Sequence, residues 1–405
     1  MTHKQTTYRM CARCIMDTTD PDITFDDKGI CHHCTGALEL AKFDWLPDAR
    51  GAARLEKKLE QIRKAGRGKE FDCIIGLSGG TDSSYLVYKS KEWGLRPLLF
   101  HVDGGWNTPE SENNVRNLAD YLQTPLRTYT VNWEEMCDLQ RAFLQSGVPN
   151  QDIPQDHLFF AVLFNLAKQM GIRYWLSGIN FVGECILPGS WGHNAMDVRH
   201  LRDIHSKFGK SPLATFPMLP LWDYFQYYGL GLLTVERVDP LDWIPYHVEA
   251  ARRELAEHCG WQNYGRKHCE SYFTRYFQCH YLPLRFGFDK RKAHFSSCIV
   301  SGQMSREQAL SELIKPLYDP EQLASDTAYI SQKLGYTPAE WEQTLAVPTR
   351  PHSAYVTSAK YLHVARHLKT MQNALGMLAR GDVSTFYRKL KNKVQTHSSS
   401  RACRP

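Results

Sequence analysis

Between residues 53 and 185 the apolar positions switch repeatedly between a helical and a strand period. Residues 53–65 (ARLEKKLEQIRKA) place Leu55, Leu59 and Ile62 on one side of a charged stretch, which predicts an amphipathic helix. Residues 71–77 (FDCIIGL) are a short apolar run bounded by turn residues, which predicts a buried strand. A helix over 81–93, stopped by Gly94, and a strand over 96–102 (RPLLFHV) follow. Next come a helix over 109–123, a strand over 126–131, an apolar helix over 156–170 and a strand over 173–177. Pro109 suits the first position of its helix, where its missing N–H costs nothing. Strands separated by helices predict an α/β fold, a parallel sheet with helices on both faces, across residues 69–185.

Beyond the alternation the pattern is helical. Ser305 with Gln308, and Thr337 with Glu340, each form a capping box. Residues 361–394 read as one or two further helices, and 398–400 as a frayed polar tail. The expected organisation is a cysteine module over 1–50, the α/β domain over 51–200 and a mostly helical region over 201–405.

Composition narrows the class. Hydrophobic residues make up 42 % and charged residues 23 % of 405, which excludes a disordered chain or a coiled-coil rod. The longest clearly apolar run, 159–164, is far short of the roughly 18 residues a membrane span needs. The start of the chain has no apolar segment of the secretory kind, so a cytoplasmic protein with reduced thiols is expected. The net charge is +6, but Arg388, Lys389, Lys391, Lys393, Arg401 and Arg404 supply all of it. The body is neutral, which argues against a nucleic-acid partner.

Four of the twelve cysteines are paired. Cys11, Cys14, Cys31 and Cys34 read C-x2-C-x16-C-x2-C. Each C-x2-C sets two thiolates at one turn, and two such turns close a tetrahedral four-thiolate shell. With 26–29 (DDKG) turning between two short strands, this is a zinc ribbon, structural because it leaves no open ligand position. His32 and His33 are bystanders. His268, Cys269, Cys279 and His280 are too loosely spaced among aromatic residues for a second zinc, and a packed helix is expected there.

The strand over 71–77 runs into Ser78, Gly79, Gly80, Thr81, Asp82, Ser83 and Ser84, and a helix follows. Strand, glycine loop and helix make a phosphate cradle, with backbone N–H groups and hydroxyls facing the anion. No lysine follows the glycines, so this is not a Walker loop, nor is it G-x-G-x-x-G. The segment 178–191 (GINFVGECILPGSW) follows the fourth strand, where open α/β sheets bind ligands. Glu184 there is a metal ligand, a base or a solvent-facing residue.

The loop Ser78-Gly79-Gly80-Thr81-Asp82-Ser83 resembles the S-G-G-x-D-S pyrophosphate (PP) loop of the N-type ATP pyrophosphatases. That superfamily, with its adenine nucleotide alpha-hydrolase-like fold, includes the GMP, NAD and asparagine synthetases and the tRNA thiolases. Asp103, in Val102-Asp103-Gly104-Gly105, matches a segment lining the adenosine pocket, and Gly178 a nucleotide-contacting turn. The ribbon, the loop, 151–154 (QDIP), 286–294 (FGFDKRKAH) and 301–307 (SGQMSRE) together resemble the N-acetyl sugar amidotransferases of bacterial surface-polysaccharide pathways. The resemblance spans roughly residues 8–350.

It implies ATP and Mg2+ beside the structural Zn2+, with Ser78, Gly79, Gly80, Thr81, Asp82, Ser83, Ser84, Asp103 and Gly178 around the nucleotide. Asp82, Lys290 and Lys292 take catalytic roles, and Glu184 and Arg291 face the acceptor. The basic run 290–292 is alternatively a solvated charge run. The implied reaction adenylates the acetamido oxygen of a nucleotide-linked sugar (a UDP-diacetamido uronic acid is the expected case), and ammonia displaces AMP to leave an acetamidino group. No cysteine stands at a glutaminase position, so a separate glutaminase with a cyclase-like partner is expected to supply ammonia. Thiolation of tRNA shares the loop and is the alternative. It would call for a C-x2-C inside the catalytic domain, where only the separated Cys73, Cys137 and Cys185 occur.

Overall fold

The structure is a computed structural model, and it describes residues 7–225 and 235–358. The helices expected over 361–394 and the basic tail lie outside the described residues. Five parallel strands form one sheet: β1 (Cys73–Gly76), β2 (Pro97–Asp103), β3 (Leu126–Thr130), β4 (Tyr174–Leu176) and β5 (Glu236–Val238), in the order β3-β2-β1-β4-β5. In register, Ile74 faces Leu98 on one side and Trp175 on the other.

The strand period of two sorts the sheet's side chains between two cores. Ile75, Leu99 and Leu176 pack with α2 (Ala49–Ala65), α3 (Thr81–Glu92), α4 (Pro109–Leu122) and α10 (Val248–Cys259). Ile74, Leu98, Phe100 and Trp175 pack on the opposite face with α5 (Trp133–Ser146), α6 (Ile153–Gln169) and α8 (Val198–Phe208). The expected α/β layer with helices on both faces is therefore present. β5 and the helices α5 and α8 extend it beyond the expected set.

The amphipathic helix expected over 53–65 starts earlier, because Asp48 accepts the N–H of Arg50 and caps it. The apolar helix expected from 156 begins at Ile153, with Pro154 in its first turn. Both expected capping boxes are formed, at α14 (Arg306–Ile314) and α16 (Pro338–Leu345).

A third core joins the two ends of the described chain. The cysteine module, with α1 (His32–Ala41), packs with Trp106, Trp191, Phe273, Tyr276 and Trp341. Its neighbours include α11 (Tyr272–Tyr276), a π-helical turn (Phe277–Tyr281), α12 (Leu282–Phe286), α13 (Lys290–Val300) and α15 (Pro320–Lys333). Described residues 7–219 and 235–356 belong to one compact unit, and 220–225 with 357–358 to a second that holds α9 (Leu221–Phe225). The short α7 (Phe181–Glu184) follows β4. Among the described residues no helix is long and apolar enough to cross a membrane.

Candidate active site

Sheet order reverses at β1: β2 lies to one side of it and β4 to the other. In open α/β sheets the crevice at such a point, beyond the carboxyl ends of the strands, is where ligands bind. The loop 78–84 leaves β1 there and runs into α3. Gly79 takes φ +80°, a conformation that favours glycine. Its carbonyl accepts from Asn114 Nδ2 and Trp261 Nε1, each at 3.1 Å. The Thr81 N–H donates to the Tyr264 hydroxyl at 3.0 Å. The Ser78 and Ser83 hydroxyls lie 3.0 Å apart, and Ser83 Oγ accepts the Ser78 N–H. Ser84 is buried, and its hydroxyl has no partner. Gly178 presses against the start of α3: a Cβ there would lie 3.0 Å from the Ser83 nitrogen. Residues 78–84 and Gly178 are thus gathered around one helix N-terminus, an arrangement suited to phosphate. Asp103 stands at the end of β2, where Oδ1 accepts the Gly105 N–H at 2.8 Å.

Asp82 is the electrostatic centre. Its carboxylate accepts from the Tyr246 hydroxyl and, at 2.9 Å, from Lys267 Nζ. Lys267 Nζ also pairs with Glu184 at 2.7 Å. Burial pushes the Asp82 pKa up, but the Lys267 charge and these two bonds outweigh it and hold it below the ordinary carboxylate value. Glu270 closes the ring. Burial raises its pKa to about 7, one of its carboxylate oxygens has no partner, and a Cβ on Gly80 would come within 2.9 Å of the other. Asp82 and Glu184 both pair with one lysine, Lys267, with Glu270 beside them, and among the described residues the oxygens of the three are not drawn together at the spacing of a metal shell.

A cavity of about 840 Å³ opens beside the loop, lined by Ser78, His101 and Gly104 on the sheet side. Its far wall comes from Glu270, Gln278, Lys290 and His294, and its floor from Asp152 and Asp156 on α6. His294 Nδ1 donates to the Gly183 carbonyl at 3.1 Å, which leaves Nε2 as a bare acceptor. Burial, then the charges of Lys267 and Lys290, lower its pKa to about 3 and keep the ring neutral. His268, next to Lys267 in the chain, has φ +67° and is likewise kept neutral by burial.

Of the basic run, only Lys290 reaches this cavity. Lys292 points the other way and pairs with the fully buried Asp17 of the cysteine module. Arg291 pairs with Asp289 at 2.8 Å and donates to the carbonyls of Glu312 and Lys315. The expectations for Lys292 and Arg291 are corrected accordingly. Three successive helical residues point about 100° apart, and the wall accepts one of them. Lys267 and Glu270, which sequence reasoning did not select, carry more of the site's charge than either.

The four sulfurs of Cys11, Cys14, Cys31 and Cys34 are buried and lie within 4.8 Å of one another. Backbone N–H groups of Arg13, Met16 and Cys31 donate to sulfurs of the set. A compact, buried, all-thiol shell fits zinc. The expected strands around 26–29 shrink to a single bridge, Phe25–Cys31, and another, Met10–Asp17, spans the first cysteine pair. His33 bonds Asp20 at 2.7 Å and His32 accepts the Thr24 N–H, so neither joins the shell. Among the described residues this is the only group of three or more ligands so assembled, and Cys269 and Cys279 add none.

Residues 270–369 match the family model described as LPS biosynthesis protein WbpG-like, C-terminal domain. The chain is 21 % identical over 183 residues to the NH3-dependent NAD+ synthetase of Carboxydothermus hydrogenoformans, covering 44 % of this chain and 70 % of that protein. Two solved structures are also similar. An NMN synthetase from Francisella tularensis has a TM-score of 0.25 and 18 % identity, over 32 % of this chain and 55 % of its own. An NH3-dependent NAD synthetase from Campylobacter jejuni has a TM-score of 0.31 and 12 % identity, over 71 % and 97 %.

Proposed function

We propose that this chain, which belongs to the PP-loop family of N-acetyl sugar amidotransferases, catalyses ATP-dependent amidation of an acetamido group on a nucleotide-linked sugar in lipopolysaccharide synthesis. One observation carries the reading: Ser78, at the head of the loop, and Glu270, Lys290 and His294, of the WbpG-like segment, line a single cavity.

The chemistry follows from the weakness of an amide as an electrophile, because resonance with nitrogen quenches its carbonyl carbon. Attack by the amide oxygen on the α-phosphate of ATP expels pyrophosphate and converts that oxygen into part of a leaving group. The loop N–H groups and the Ser78 and Ser83 hydroxyls hold the phosphates in line for this attack. The resemblance implies Mg2+ with the ATP, near Asp82, where it would neutralise phosphate charge when bound. The bare Nε2 of His294 is placed to accept a donor such as the acetamido N–H, leaving the oxygen free to react. Ammonia then adds to the activated carbon and AMP departs. In this reading a separate glutaminase subunit with a cyclase-like partner provides the ammonia.

The test is pyrophosphate release by purified protein with ATP, Mg2+ and ammonium against a panel of acetamido nucleotide sugars and bulk tRNA. Release is expected with a UDP-linked acetamido sugar, giving a product in which NH replaces one oxygen. Release with tRNA and a sulfur donor instead would refute the sugar reading.

A further inference from the structure

The floor of the cavity holds a group that the mechanism above leaves idle. Asp152 and Asp156 stand four residues apart at the start of α6, so their carboxylates lie side by side on one face. Asp152 is 7 % exposed, and accepts from Gln155 Nε2 at 3.1 Å and Thr274 Oγ1 at 3.2 Å. Asp156 is an exposed residue that lines the cavity, and Lys290 faces both carboxylates from α13. The other titratable groups around this space are His101, Glu184, Glu270, His193, His268 and His294. Lowered pKa values make His268 and His294 weak bases, Glu184 is paired with Lys267, His193 is bonded to Asp197, and His101 is bonded to the Leu77 carbonyl and to Asn107. That leaves the carboxylate pair as the cavity's free proton acceptor beside Glu270.

We propose that Asp156, backed by Asp152 and Lys290, is the general base of the amidation step, taking a proton from the attacking nitrogen. The assignment rests on the amidation reading. When ammonia adds to the protonated imidate carbon, a C–N bond forms and the tetrahedral carbon carries an NH3+ group. Asp156 takes one of its protons. The nitrogen lone pair so released forms C=N, and the C–O electrons leave with AMP, giving an amidinium. The proton leaves Asp156 through the cavity to solvent. Burial and mutual repulsion raise the pair, Asp152 to about 8, while burial raises Asp156 to about 6 against the pull of Lys290. The two values belong to the pair, which therefore shares one proton near neutrality and keeps one carboxylate's charge to accept another.

The experiment compares two nucleophiles, ammonia and methoxyamine, on the full-length protein. Methoxyamine gives an adduct acidic enough to lose its proton to water unaided. For Asp156→Asn, amidine formation with ammonia is expected to fall about a hundredfold or more, the scale of general-base catalysis. Its rate with methoxyamine should fall less than tenfold, and ATP–pyrophosphate exchange with the acceptor should be retained. In the wild type at constant free ammonia, the rate is lost as pH falls through about 6, while the methoxyamine rate stays level. The wild-type comparison stands even if the variant does not fold. Equal losses with both nucleophiles, lost exchange, or the same acid limb with both would overturn the assignment. Absence of exchange with every acetamido sugar in the wild type would instead refute the amidation reading and this base with it.

Discussion

Three glycine-to-alanine replacements separate the two ways in which the loop depends on glycine. At Gly94, φ is +63° and a Cβ would meet nothing within 4 Å, so only the left-handed backbone penalty applies, about 1–2 kcal/mol. At Gly80 the backbone is ordinary, with φ −72°, and a Cβ would meet the ends of Glu270, Ser78 and Tyr264, which can turn aside. That replacement should cost about 1 kcal/mol, chiefly a poorer helix cap. At Gly79 both penalties act together. Its φ is +80°, and a Cβ would sit 2.3 Å from the Ser111 carbonyl oxygen and 2.9 Å from two further Ser111 atoms. Those atoms belong to the capped first turn of α4 and cannot rotate away. Moving the loop instead would break the bonds from Asn114 and Trp261 to the Gly79 carbonyl. Adding about 1–3 kcal/mol for overpacking to the backbone penalty gives about 2–5 kcal/mol for Gly79→Ala. Urea denaturation of the three variants, with and without ATP, measures this. The expected order of destabilisation is Gly79 above Gly94 and Gly80, with the ATP-induced stabilisation lost only at the loop positions. If Gly79→Ala costs no more than Gly94→Ala, the close packing of the loop on α4 is wrong.

Lys292→Ala leaves the Asp17 carboxylate buried with only hydroxyl and backbone partners; about 3 kcal/mol of stability should be lost in denaturant titration, with KM for ATP unchanged. Lys290→Ala should do the reverse, sparing stability and reducing turnover, and equal behaviour of the two lysines would contradict the division of the run. Metal analysis should find one zinc per chain; Cys14→Ser should abolish it and lower the melting temperature, while an unchanged melt would exclude a structural shell. His157, His200 and His352 are buried, and burial lowers their pKa values to about 4, 4 and 2. The unfolded chain binds these protons first, so their contribution to stability is complete above pH 6.5 and is lost as pH falls toward 4. For His200 it is worth about 3 kcal/mol, and His200→Gln should flatten the stability profile in that window.

The alternation of strands and helices was legible because β1, β2 and β4 are nearly continuous apolar runs, the signature of strands covered on both faces. β5 was missed because Glu236-Arg237-Val238 has one buried residue; its place is set by pairing with β4, not by its own pattern. The loop was legible because all its functional groups are consecutive. Lys267 and Glu270 were not, because nothing in a KHCE stretch between aromatic residues announces that Lys267 bridges Asp82 and Glu184, more than 80 residues upstream. Local spacing marks a site only when the chain itself supplies the proximity, as it does for Cys11 and Cys14.

Residues 290–296 show how the cysteine module bears on the chemistry. With a period of 3.6, positions 290 and 294 share one side of α13, and positions 292 and 296 another. Lys290 and His294 line the cavity. Lys292 pairs with Asp17, and Ser296 Oγ accepts the N–H of Ile15 between the cysteines. Just after α13, Arg306 donates to the carbonyls of Cys11 and Cys14 themselves. The helix that carries the cavity's far wall is therefore fastened along its back to the knuckle that folds around the metal. A zinc bound there would act at a distance, by fixing the rotation of α13 and so the direction in which Lys290 and His294 face. A closed four-thiolate shell with no catalytic position is the kind of centre suited to that task.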